Sequence, residues 1–137
     1  MSQTIIRAKF MTALAAFASS YSPPLKISRE GESFSKPLDN APFLEAFFTP
    51  ANTIVATLDG SKRRFYGDFQ VNVWCEDSKG AGQGEAIAEE IAQLFPVFPK
   101  TLLPVSVEAP ASAKSAMLDS GWRIIPIIIP YRMDESN

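Results

Sequence analysis

Apolar residues recur along the chain in two rhythms, and each rhythm predicts an element. Near the start, Ile6, Phe10, Leu14, Phe17 and Tyr21 return at three- and four-residue intervals, which sets them on one stripe of an amphipathic helix. Pro23 and Pro24 follow; proline has no N–H and drives the residue before it to extended backbone, so this helix ends near Ser22. Arg7 and Lys9, the stretch Phe10 to Ala18 and the Ala16-Phe17-Ala18 box before Ser19 imitate a short secretory signal. Its richness in Ala rather than Leu and its helical spacing favour a first helix that belongs to the fold, with no signal peptide.

The second rhythm is alternation. Leu25 to Ser28 reads as a short strand, and Arg29 to Asn40, polar and holding Gly31 and Pro37, as the least ordered internal loop. Ala41 to Pro50 and Thr53 to Leu58 are rich in aromatic and β-branched residues and read as two strands. Asp59-Gly60 opens a turn that Ser61 to Arg64 lengthen. The clearest element is a strand from Phe65 to Glu76. Phe65, Gly67, Phe69, Val71, Val73 and Cys75 fall on one face; Tyr66, Asp68, Gln70, Asn72, Trp74 and Glu76 fall on the other. Such alternation belongs to an antiparallel sheet with one face on the core.

A loop from Asp77 to Gly84 leads to a second helix, with Ile87, Ile91, Leu94 and Phe95 on one stripe, Glu85, Glu89 and Gln93 opposite, and Pro96 at its end. Leu103 to Ala109 and Ala111 to Met117 read as short strands parted at Pro110. Asp119-Ser120-Gly121 turns the chain into a last strand, Trp122 to Met133, and the tail at 134–137 frays. Pro126 and Pro130 lie an even number of residues apart, so their missing N–H groups leave the same side of that strand incomplete. The strand is then an edge, or pairs there through a bulge or another subunit. The predicted fold is α+β: two helices packed on a mainly antiparallel β-sheet.

Length and composition narrow the class. With 137 residues, 46% hydrophobic and 20% charged, the chain suits a single domain over 1–137 with one core. There is no histidine, which removes Ser-His-Asp and Cys-His catalysis and the histidine metal sites. The lone Cys75 has no partner for an internal disulfide and sits on the core parity, where a thiol acts as a small hydrophobe. A net charge of −2 gives no field toward phosphates or anionic lipid. The apolar run Ile124 to Ile129 is too short to span a bilayer core of about 30 Å, so no membrane is expected.

Candidate chemistry is sparse. Gly80-Ala81-Gly82-Gln83-Gly84 lies between strand and helix, yet it lacks the GxGxxG spacing and the Lys-Ser/Thr of phosphate loops, and a flexible connector is the simpler reading. Lys62, Arg63 and Arg64 form the one basic run, either a solvated loop or a contact with a partner or lumen. Asp68, Gln70, Asn72 and Glu76 could offer oxygen ligands, but with Tyr66 and Trp74 beside them an interface patch fits better than a metal cage. Glu89 and Glu90 are adjacent, about 100° apart on a helix, and cannot share a proton. No catalytic, cofactor or metal site is assigned.

Two blocks carry a resemblance. The first is Tyr66-Gly67-Asp68-Phe69-Gln70-Val71-Asn72-Val73 with Ala86 to Ala92 and Leu94-Phe95-Pro96 after it; the second is Ala109 to Ser112, then Leu118 to Trp122, then Ile125 to Arg132. They resemble the phage tail terminator-like proteins, with a G-x-F-Q-V-x-V strand ahead of the helix and a W-x-x-x-P-x-x-x-P-Y strand closing the chain. The Pro-rich stretch from Phe95 to Pro104 is longer than in that pattern, and the N-terminal half agrees by helix position alone. The resemblance implies a non-enzymatic α+β subunit without cofactor, forming a homohexameric ring on the tail tube protein, ending tube growth and meeting the head-tail connector protein. It also implies assembly in the bacterial cytoplasm into the virion tail, with nucleic acid at most as DNA passing through the ring. Ring contacts are expected at Tyr66, Gln70 and Trp74 or along Pro126 and Pro130, with Lys62, Arg63 and Arg64 toward the lumen or a partner. A small nucleotide- or nucleic-acid-binding module is the alternative.

Overall fold

The computed structural model describes residues 2–37, 39–51, 53–55, 58–79, 81–97, 102 and 104–136. Helix α1 (Ser2–Ser20) precedes strands β1 (Lys26–Arg29), β2 (Phe43–Pro50), β3 (Ile54–Val55) and β4 (Lys62–Glu76). A 3-10 turn (Asp77–Lys79) and helix α2 (Gly82–Leu94) lead to β5 (Ser106–Val107), β6 (Ser112–Ala113), β7 (Met117–Asp119) and β8 (Trp122–Ser136). Both helices pack on one mixed, mostly antiparallel sheet, the α+β single domain that the pattern predicts. No helix among the described residues is long and apolar enough to cross a membrane.

The spine of the sheet is β4 against β8, antiparallel from Lys62 opposite Ser136 to Glu76 opposite Trp122. On the far side of β4 lies β2, antiparallel, and then β1, which runs parallel to β2. The connection 30–42 is long enough to serve as the crossover a parallel pair needs. Three rows of side chains fill the core face: Leu44, Val73 and Ile125; Ala46, Val71 and Ile127; Phe48, Phe69 and Ile129. Against them α1 buries Ile6, Phe10, Leu14 and Ala18, and α2 buries Ile87, Ala88 and Ile91. Phe10 is the hub, its ring 4.8 Å from Phe69, 5.3 Å from Phe95, 5.8 Å from Tyr131 and 6.0 Å from Phe48.

The structure corrects several boundaries. β4 starts at Lys62 rather than Phe65, so Lys62, Arg63 and Arg64 are strand residues and not a hairpin tip: β3 pairs Ile54 with Arg64 and Val55 with Arg63, and β8 pairs all three. The last strand continues past Met133, paired to Ser136. Gly82 and Gly84 belong to the first turn of α2, not to a connector, while Gly80 lies outside the described residues. A Cβ at Gly84 would stand 2.5 Å from Cys75 Sγ and 2.9 Å from Ile125 Cδ1, so this glycine lets the helix lie close on β4 and β8.

β8 is not the sheet edge either. Its proline-marked side carries β5, β6 and β7 as three fragments. Between them Glu108 N donates to Pro130 O at 2.9 Å and Lys114 N to Pro126 O at 2.8 Å. Since a strand residue's N–H and C=O point the same way, these bonds show that both missing N–H groups face the fragmented side. The gaps are covered by the chain's own residues. The β7–β8 turn takes positive φ at Ser120 (49°) and Gly121 (87°), the paired left-handed geometry of a two-residue hairpin.

Candidate functional site

The face of the sheet turned away from the helices gathers the residues singled out from the sequence. Register places Tyr66, Gln70 and Trp74 opposite Arg132, Ile128 and Ile124, and sets Pro126 opposite Asn72 and Pro130 opposite Asp68. The two alternatives for a contact surface are thus one surface. Its residues are unequally available, however. Tyr66 is 36% exposed, Gln70, Trp74 and Pro130 are half-buried, and Pro126 is buried.

At one end of this face residues 30–37 are irregular but come back onto the sheet. Pro37 is buried, and Lys36 Nζ lies 4.9 Å from the Trp74 ring centre and 5.6 Å from that of Trp122, a cation over two aromatic faces. Phe43 stacks on Trp74 at 5.2 Å, with Trp122 edge-on at 5.3 Å and Phe34 at 5.1 Å. Beneath, Asn72 is only 7% exposed. It accepts from Gln70 Nε2 at 2.9 Å and donates to Glu45 Oε1 at 2.8 Å, and Trp74 Nε1 donates to the same Glu45 oxygen at 3.2 Å. These amides are committed to each other, and no group of three or more His, Cys, Asp and Glu that could hold a metal occurs among the described residues.

The other end is charged and open. Arg64 donates to both carboxylate oxygens of Asp134, at 2.9 and 3.3 Å. That hydrogen bond holds the Asp134 carboxyl below the usual carboxylate range and the Arg64 guanidinium above its own. Arg132 pairs with Glu108 at 3.2 Å. Between the pairs a hollow of about 530 Å³ is lined by Ile54, Tyr66, Asp68 and Pro130. Tyr131, which also lines it, is 1% exposed, with the Gln3 side chain beside its hydroxyl. Burial pushes that phenol up, as it does the Cys75 thiol.

Sequence reasoning missed a second surface, on the helix side. A groove of about 610 Å³ runs between α2 and residues 111–116, lined by alanines and Ile125 and by charges of both signs, Glu85, Glu89, Lys114 and Arg123. Near it, β7 exposes Met117 (54%) and Leu118 (65%), and in the turn before β4 Leu58 stands fully in solvent. The sequence reading placed Leu58 at the end of a strand, Thr53 to Leu58, but the paired strand is Ile54–Val55 and Leu58 lies in the turn after it.

Comparison with known proteins fits this architecture. A family model described as phage tail terminator protein matches residues 5–131. One solved structure, of a protein bearing no functional name, is 32% identical and superposes with a TM-score of 0.79 over 97% of this chain and 96% of that one. No curated protein matches. The chain therefore belongs to the phage tail terminator protein family, a family of structural proteins of the virion tail.

Proposed function

We propose that this subunit assembles into a closed homohexameric ring that caps the tail tube, stops its polymerisation and presents the joining surface for the head connector. The family match over nearly the whole chain carries this reading. The molecule supports it: its conspicuous surfaces are apolar patches and paired charges rather than a cleft with poised acids and bases. In a cyclic ring each subunit offers one patch to one neighbour and a different patch to the other. The open, charged half of the outer sheet face, with Tyr66 exposed beside the Arg64–Asp134 and Arg132–Glu108 pairs, is one such patch. To Lys62, Arg63 and Arg64, at the same end of β4, we assign contact with a partner or with the ring's lumen, through which DNA would pass.

Native mass spectrometry and light scattering over a hundredfold concentration range, with and without tail tubes built from the tube protein, test the proposal. A closed oligomer, or a monomer that caps tubes, is the expected result. A chain that stays monomeric and ignores tube ends refutes it. Tyr66→Glu is the informative variant, because Trp74 is stacked within its own chain and its loss would disturb the fold as well as any contact.

A further inference from the structure

We infer that strand β1 of one subunit pairs antiparallel with strand β7 of the next, joining the sheets edge to edge around the ring, and this rests on the ring reading above. A sheet edge is a row of unpaired N–H and C=O groups that folded chains cover, blunt or use. Here both edges are open. β1 ends the sheet on one side, with Lys26 and Arg29 exposed. On the other side residues 112–121 are exposed without a break, and β7 holds Met117 (54%) and Leu118 (65%) in solvent. Such an apolar edge calls for another strand.

Register identifies that strand as β1 of another copy. Lys26 stands in one row with Phe43, Trp74, Ile124 and Met117, and Arg29 in one row with Ala46, Val71, Ile127 and Ala113. The two open edges therefore lie at the same height. Rotation about a ring axis carries no subunit along it, so with the strands set along that axis an edge meets only an edge of its own height. Direction agrees. β1 runs with β2 and with β8, while β7 runs against β8, so β1 and the neighbour's β7 meet antiparallel. The two-residue turn makes Asp119 and Trp122 a bonded pair, and Leu118 opposite Arg123 then turns its N–H and C=O outward. Charge agrees too. On the outer face Lys26 comes diagonal to the neighbour's Asp119, within cross-strand reach, and neither makes an ion pair among the described residues of its own subunit. On the helix side Arg29 arrives at the level of the neighbour's groove, where Glu85 and Glu89 outnumber Lys114 because Arg123 is paired with Asp77. The patch around Tyr66 lies eight residues further along β4, roughly 26 Å away, so the two contacts respond to different variants.

An edge proline tests the pairing in the full-length protein. Leu118→Pro removes an outward N–H that the subunit itself does not use, and edge strands tolerate proline. The variant should keep its circular dichroism yet assemble at least about tenfold more weakly, since a carbonyl of the neighbour is left unmet. Leu118→Thr, which keeps the N–H, should assemble. Lys26→Glu and Asp119→Lys should each weaken assembly and together restore it. Lys26→Cys with Met117→Cys in one chain, treated with a short bis-maleimide, should yield a ladder of linked subunits; neither single variant should, because Cys75 is buried, and a mixture of the two should give linked dimers. Should the proline variant misfold, the ladder decides. If rings form, the folded proline variant assembles as the unaltered chain does and no ladder appears, the inference falls while the ring reading stands. If the unaltered chain never assembles, alone or on tubes, the ring reading falls and the inference with it.

Discussion

Gly84 shows how a single missing methyl positions a helix. With Cys75 Sγ and Ile125 Cδ1 at 2.5 and 2.9 Å from where a Cβ would stand, Gly84→Val must push α2 off the sheet, an overpacking cost of about 1–3 kcal/mol. Urea unfolding with an unchanged slope and a lower midpoint would register it. Cys75 answers to the same contact from the other side. Fully buried, its thiol raised by desolvation, it should resist alkylation at pH 8 in the folded protein and react promptly once the chain is unfolded. Tyr131 is a nearer balance, since its buried hydroxyl has Gln3 alone beside it. Tyr131→Phe should therefore change thermal stability by no more than about 1 kcal/mol, whereas the loss of a fully bonded buried hydroxyl would cost more.

At the level of elements, α1 is held to the sheet by one side chain more than any other. Phe10 meets four aromatic rings from β2, β4, β8 and the end of α2, so Phe10→Ala should cost about 3–5 kcal/mol in denaturant titration. The helical stripe around Phe10 and the alternation through Phe69, Val71, Val73 and Cys75 were legible because burial imposes a period on sequence. Three things were not. The start of β4 carries Lys62, Arg63 and Arg64, whose side chains show no alternation even though all three pair with β8 and the two arginines with β3 as well. The outer face was read as an interface patch, but Lys36 lies over Trp74 and Trp122, and Asn72 is buried with Gln70 and Glu45 as its partners, tertiary events with no local signature. β1 pairs in parallel with β2, and register between distant strands leaves no periodic trace. That Tyr66, Gln70, Trp74, Pro126 and Pro130 share one face was legible in their parity; how much of that face remains exposed was not.

For the whole molecule, acid is the revealing variable. The Asp134 carboxyl is held below its ordinary value by Arg64, so the pair's contribution is fully present above the unfolded value of about 3.9 and fades as pH falls through the folded one. Both partners are about one-third exposed, and the contribution is small and screened by salt. Asp134→Asn should leave stability near pH 7 little changed and flatten its acid limb, as read by thermal melts between pH 2.5 and 7. The proline-marked flank has a different consequence, on the scale of motion. Residues 104–119 join β8 through short pairings and isolated bonds such as those at Pro126 and Pro130, while β4 and β8 share an unbroken ladder. Local opening is cheap where hydrogen bonds are few and exposed. Deuterium should therefore enter amides 106–119 long before those of 65–75 and 123–133, marking a flank that adjusts to what it caps while the centre of the sheet stays closed.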